Sequence, residues 1–155
     1  MNSTSNKIWQ DRLYLILTGI FIASLISSNL IFQKFFFWTP FAFLANSEVS
    51  GWAAWLSSYT FELSVGILPY PITFLVTDIV SEIYGREKAD RIVISGFISC
   101  IFIMGVVMVG DLAAATDWSP VNDNTFHKVF GLFGPAVFAS MMAYLSAQFI
   151  DIRIF

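Results

Sequence analysis

Asp78 and Glu82 stand four residues apart in the stretch PITFLVTDIVSEIYG (Pro71–Gly85), and Gln148 and Asp151 stand three apart near the end of the chain. On a helix those spacings put each pair on one face. Carboxylates accept hydrogen bonds from donor-rich ligands, and two of them held close in a low dielectric repel, so that one proton can be shared between them. The chemistry on offer is therefore proton coupling or recognition of a ligand rich in N–H groups. What makes these acids informative is their surroundings, which are apolar. An ionisable residue in such a segment is expensive to place in hydrocarbon, and it usually faces a bundle interior or a watery path. A solvated position at the membrane surface is the alternative for Glu82 and Asp151, whereas Asp78 lies deeper.

Other chemistries find no support. The sequence holds no H-E-x-x-H, G-x-S-x-G or P-loop pattern. His127 is the single histidine and falls in a polar loop, so no apolar segment offers a histidine base to an intramembrane nucleophile. An enzyme is not expected, nor are a cofactor and a metal. Cys100 is the single cysteine, which precludes an intrachain disulfide, and its apolar neighbours make it a packing residue. Glu62 reads as interfacial.

The elements that must carry these side chains are membrane helices. The chain is 57% hydrophobic and 12% charged, with 17 Phe and 5 Trp in 155 residues, and its mean hydropathy is +0.72. Soluble domains carry about 25% charged residues. A pI near 4.9 argues against a nucleic-acid partner and leaves the lipid bilayer as the first partner.

The sequence predicts an all-α, polytopic transmembrane bundle, a single integral membrane domain over residues 1–155 with spans at about 13–34, 61–85, 92–110 and 129–150. Each is close to the roughly 20 residues a spanning helix needs. A signal peptide is the rival reading of the first span, but its apolar core is too long and no A-x-A-like site follows. Asn29 lies in the last turns of that span and must find a partner there, while Lys34 can snorkel outward. Residues 35–60, rich in aromatic and small residues, read as an interfacial connection or a short re-entrant piece.

Pro69 and Pro71 allow two outcomes for the second span: an ordinary kink, or a helix that restarts at Pro71 with its N-terminal dipole end inside the membrane. In the fourth span Ala136, Ser140, Ala143 and Ala147 form a small-residue face suited to close helix packing, and Gly19 with Ala23 offers another on the first. A cytoplasmic N-terminus puts Lys7, Arg12, Arg86, Lys88, Arg91 and Arg153 inside and only Lys34 and Lys128 outside, as the positive-inside rule requires.

Three motifs, S-N-L-x-x-x-K (Ser28 to Lys34), P-I-T-F-x-x-T-D-x-x-S-E-I-Y-G (Pro71 to Gly85) and A-Y-L-x-A-Q-x-x-D-x-x-x-F (Ala143 to Phe155), follow in this order. In them the chain resembles the queuosine precursor transporter family, also called the vitamin uptake transporter family. The resemblance implies a multi-pass protein of the cell inner membrane that imports 7-deazaguanine precursors of a modified tRNA base. It marks Asn29, Lys34, Phe74, Asp78, Glu82, Gln148 and Asp151 as substrate-binding candidates, together with Pro71, Tyr84 and Gly85 in the same motifs. It also implies six helices, of which this chain supplies about four, so the sequence reads as truncated at its C-terminus. The alternative is a membrane-embedded substrate-binding or packing subunit that works with a partner protein or as a homo-oligomer.

Overall fold

The computed structural model describes residues 3–43, 51–131 and 133–154. Among these, six helices and one pair of strands follow in order: α1 (Ser3–Ile31), β1 (Phe35–Trp38), α2 (Gly51–Ser57), β2 (Phe61–Ser64), a 3₁₀ turn (Val65–Ile67), α3 (Tyr70–Tyr84), α4 (Arg86–Leu112), α5 (Asp123–Phe130) and α6 (Phe133–Ile154). Four stretches are long and apolar enough to cross a membrane: Lys7–Ile31, Val65–Tyr84, Arg86–Leu112 and Val137–Ile154. The chain is an all-α polytopic bundle with a small strand pair attached.

Side-chain size decides how the bundle closes. On α1 the buried positions Leu17, Phe21, Ser24, Leu25 and Ser28 recur every three or four residues and face α3 and α4. They meet Val76 and Val80 of α3 and Ala89, Ile92, Val93 and Gly96 of α4. α1 packs closely on α4 at Gly96, since a Cβ there would lie 2.6 Å from Phe21 Cε1 and 2.9 Å from Leu25 Cδ2. The small residues Gly19 and Ala23 are instead exposed. On α6 the packed face is Val137, Met141, Tyr144, Gln148 and Ile152. Ser140, Ala143 and Ala147 are exposed there, and the side chain of Ala136 lies outside the described residues.

The two prolines start a helix rather than bend one. Pro69 caps α3 and Pro71 lies in its first turn, where a missing N–H costs nothing. Residues 61–64, read from sequence as the start of this span, form β2 instead. It pairs antiparallel with β1, Phe35 opposite Ser64 and Trp38 opposite Phe61. Phe35, Phe37, Trp38 and Phe61 are exposed, as are Trp52 and Trp55 of α2, an aromatic belt of the kind found at a membrane surface. Residues 44–50 of this connection lie outside the described residues.

The loop after α4 contains a helix of its own. Asn122 caps α5 by accepting from Thr125 N at 2.8 Å. His127 on α5 is not simply solvated, because its Nδ1 lies 2.8 Å from Asp111 Oδ2.

At the other end of the bundle one glycine joins α3 to α4. Gly85 has φ 87° and ψ 159°, a conformation essentially confined to glycine. Lys88 then lies over the rings of Tyr14 and Tyr84, 5.1 and 5.0 Å from their centroids. Tyr14 OH donates to Lys88 O at 3.2 Å, and Tyr84 OH donates to Gln10 O at 2.7 Å. The start of α1 is thereby tied to the α3–α4 turn, which gathers Lys7, Arg12, Arg86, Lys88 and Arg91 at one end of the bundle.

Candidate functional site

α3 and α6 run in the same direction, and their facing side chains make a polar seam. Near the start of α3, Tyr70 OH lies 3.4 Å from Ser140 Oγ. One turn on, the Tyr144 ring packs against Tyr70 and Phe74, centroids 5.5 and 6.0 Å apart. The Tyr144 hydroxyl is buried close to Thr73 without a partner of hydrogen-bonding geometry. Next, Gln148 Nε2 donates to Thr77 Oγ1. Last, the carboxyls of Asp78 and Asp151 lie close enough to interact with each other.

Spacing explains the seam. On α6, residues 140, 144, 148 and 151 follow each other by four, four and three, the repeat that keeps side chains on one helical face. On α3, residues 70, 73, 74, 77 and 78 do the same. The threonines of α3 turn their hydroxyls back on their own helix, Thr73 to Tyr70 O at 2.7 Å and Thr77 to Phe74 O at 2.9 Å. Their oxygens therefore face α6 as acceptors.

Gln148 is the most telling member. It is 0% exposed, and its Oε1 has no hydrogen-bond partner among the described residues. A buried acceptor left unpaired costs roughly 1–3 kcal/mol. The acids beside it are acceptors too when ionised. Asp78, Asp151 and Gln148 together place acceptor atoms at one end of the seam, an acceptor-rich corner.

The candidates chosen from sequence divide into three groups. Gln148, Asp78 and Asp151 come together across α3 and α6, with the Phe74 ring one turn away. Glu82 does not join them: it is exposed beside Ser81, Gly85 and Arg86. The carboxyl that meets Asp78 is Asp151 of another helix, a pairing no spacing within α3 could reveal.

Asn29 lies at the opposite end, 5% exposed, where its Nδ2 donates to Leu25 O at 3.0 Å and approaches Met141 Sδ at 3.4 Å and Cys100 Sγ at 3.5 Å. Lys34 is exposed beyond it. Among the described residues no group of three or more His, Cys, Asp or Glu side chains could hold a metal ion.

Asn29 also borders a cavity of about 230 Å³ that sequence reasoning missed. Ser28, Asn29 and Phe32 of α1 line one side, Ser64, Gly66 and Ile67 another, and Tyr70, Val137 and Ser140 close it. Ser28 donates to Gly66 O. Gly66 is required there, because a Cβ would lie 2.7 Å from Ser28 O and 2.8 Å from Phe32 Cβ. The signal in the sequence was the broken segment before Pro71, which opens space only once α6 is placed beside it.

A family profile described as "Putative vitamin uptake transporter" matches residues 64–155. The chain belongs to the vitamin uptake transporter family. The match takes in α3, α4 and α6 and so the whole seam, while the Ser28–Lys34 motif lies outside it. A curated relative from Bacillus subtilis (strain 168), named "Probable queuosine precursor transporter", is 26% identical over 92 residues. That alignment covers 59% of this chain and 40% of the relative, so the chain spans well under half the relative's length. No solved structure matches. The protein is thus a multi-pass membrane protein of a transporter family, with its acceptor-rich corner in the matched part.

Proposed function

We propose that this chain provides the substrate-binding part of an inner-membrane transporter that imports 7-deazaguanine precursors of queuosine. The observation that carries the reading is the meeting of Asp78 and Asp151 beside the unpaired Oε1 of Gln148. A guanine-like base presents several N–H donors along one edge, and carboxylates with an amide oxygen accept them. Phe74, and Tyr144 behind it, supply rings on which a flat base can stack. The relative's name supports the same substrate class.

Import is the direction we propose, in the orientation that the basic residues favour. Lys7, Arg12, Arg86, Lys88, Arg91 and Arg153 belong at the cytoplasmic end, with Lys34 and Lys128 outside. The acid pair then lies toward the cytoplasm, nearer the end where a base is released. Glu82 and Lys34 take peripheral roles along the path, and Asn29 a role at its outer end.

The test is uptake of labelled 7-deazaguanine by cells that lack their own importer and express the complete gene product. Uptake above the empty-vector level is the expected result, and its absence at normal membrane abundance overturns the proposal. A second reading, a packing subunit that needs a partner, is favoured by the outward-facing Ala143 and Ala147 of α6. Stable co-purification of another membrane protein, with no uptake in its absence, would establish that reading instead.

A further inference from the structure

The cavity and the acid pair are separate places. Tyr70 borders the cavity and Asp78 lies eight residues further along α3, which at 1.5 Å per residue is about 12 Å. Neither Asp78 nor Asp151 lines the cavity. The cavity also has a different chemistry, for no charged side chain lines it. Its polar groups are hydroxyls and one amide, and its walls include the rings of Phe32 and Tyr70.

Not all those hydroxyls are free to meet a ligand. Ser28 Oγ donates to Gly66 O, and Ser64 Oγ donates to Phe32 O while accepting from Gly66 N at 3.1 Å. Among the described residues Tyr70 OH and Ser140 Oγ have each other as partner, at 3.4 Å, a long contact that a ligand could replace. From them the seam continues through the buried Tyr144 and Gln148 toward Asp78 and Asp151.

We propose that this cavity is a separate loading station for a neutral, flat, hydrogen-bonding heterocycle, held by Tyr70 and Ser140 before it passes along the α3–α6 seam to Asp78 and Asp151. A volume of about 230 Å³ suits one small ring system rather than a drug-sized ligand, whose pockets begin near 300 Å³. The proposal rests on the transport reading above and adds a second site to it.

The test uses the complete protein in membranes, with Ser140→Cys introduced and 7-deazaguanine as the probe. Cys100 is buried, and the protein without Ser140→Cys gives the background of modification by a maleimide. The expected result is that the base slows modification of the introduced thiol, and still does so when Asp78→Asn is added. Ser140→Leu, which fills the space, should weaken binding of the base by roughly tenfold or more, and Ser140→Ala by less.

Protection that disappears with Asp78→Asn would show one site rather than two and overturn the proposal. So would continued uptake by the unsubstituted protein with no protection of the introduced thiol. Absence of both uptake and protection would instead overturn the transport reading, and this inference with it.

Discussion

Gln148 on α6 gives its amide N–H to Thr77 on α3 and keeps its own Oε1 unpaired, although no part of the residue reaches solvent. Packing alone does not require an unpaired acceptor at that position, because methionine or leucine would fill the same space. Gln148→Met should therefore leave thermal stability within about 1 kcal/mol of wild type. It removes one hydrogen bond and one unpaired atom together, and Thr77 keeps its bonds to Thr73 O and Phe74 O. Uptake of the base should nevertheless fall steeply. Unfolding in detergent and uptake in cells are the two measurements, and a variant that keeps normal uptake would show that Oε1 meets no ligand.

Asp78→Asn keeps the size of the side chain and replaces one acceptor with a donor. Against an N–H edge the site would then face donor with donor. Loss of a charge-assisted hydrogen bond should cost about 2–4 kcal/mol, roughly a 30- to 1000-fold loss of affinity. Membrane abundance should hold, since removing a charge lowers the cost of insertion. Glu82→Gln should be much milder, because Glu82 is exposed and apart from the acid pair. Uptake normalised to abundance compares the two.

Gly96 and Gly105 lie on the same helix and should respond differently to the same change. A Cβ at Gly96 meets Phe21 and Leu25 of α1 below 3.0 Å, whereas nothing lies within 4 Å at Gly105. Gly96→Ala should destabilise by about 1–3 kcal/mol through overpacking, and Gly105→Ala should be neutral or slightly stabilising. Thermal unfolding of the two variants in one detergent reads the difference directly.

Gly85→Ala tests the turn between α3 and α4. Space is not the obstacle there, since nothing lies within 4 Å of where a methyl group would sit. The obstacle is the backbone, whose φ at Gly85 is 87°. Forcing a Cβ into that region should cost about 1–3 kcal/mol. Both the unfolding temperature and the protease resistance of the α3–α4 turn should drop.

Class and most of the ingredients are legible in the sequence alone. Long uncharged apolar runs have one stable solution in hydrocarbon, the helix that satisfies its own backbone, so the four spans can be read from composition and length. The motif around Asp78 is equally plain, because an acid in an apolar segment stands out against its neighbours. Partners across helices are not legible, since spacing along one helix says nothing about which face another helix will cover. By spacing Asp78 pairs with Glu82, yet the tertiary structure sets Asp78 against Asp151 and leaves Glu82 outside. By size the small residues of α6 form its packing face, yet the packed face is Val137, Met141, Tyr144, Gln148 and Ile152. Even the two prolines leave kink and restart open until the 3₁₀ turn folds onto Ser28 and Phe32. Only the assembled bundle decides which polar atoms are buried without partners, because burial belongs to the packing of several helices and not to any one of them.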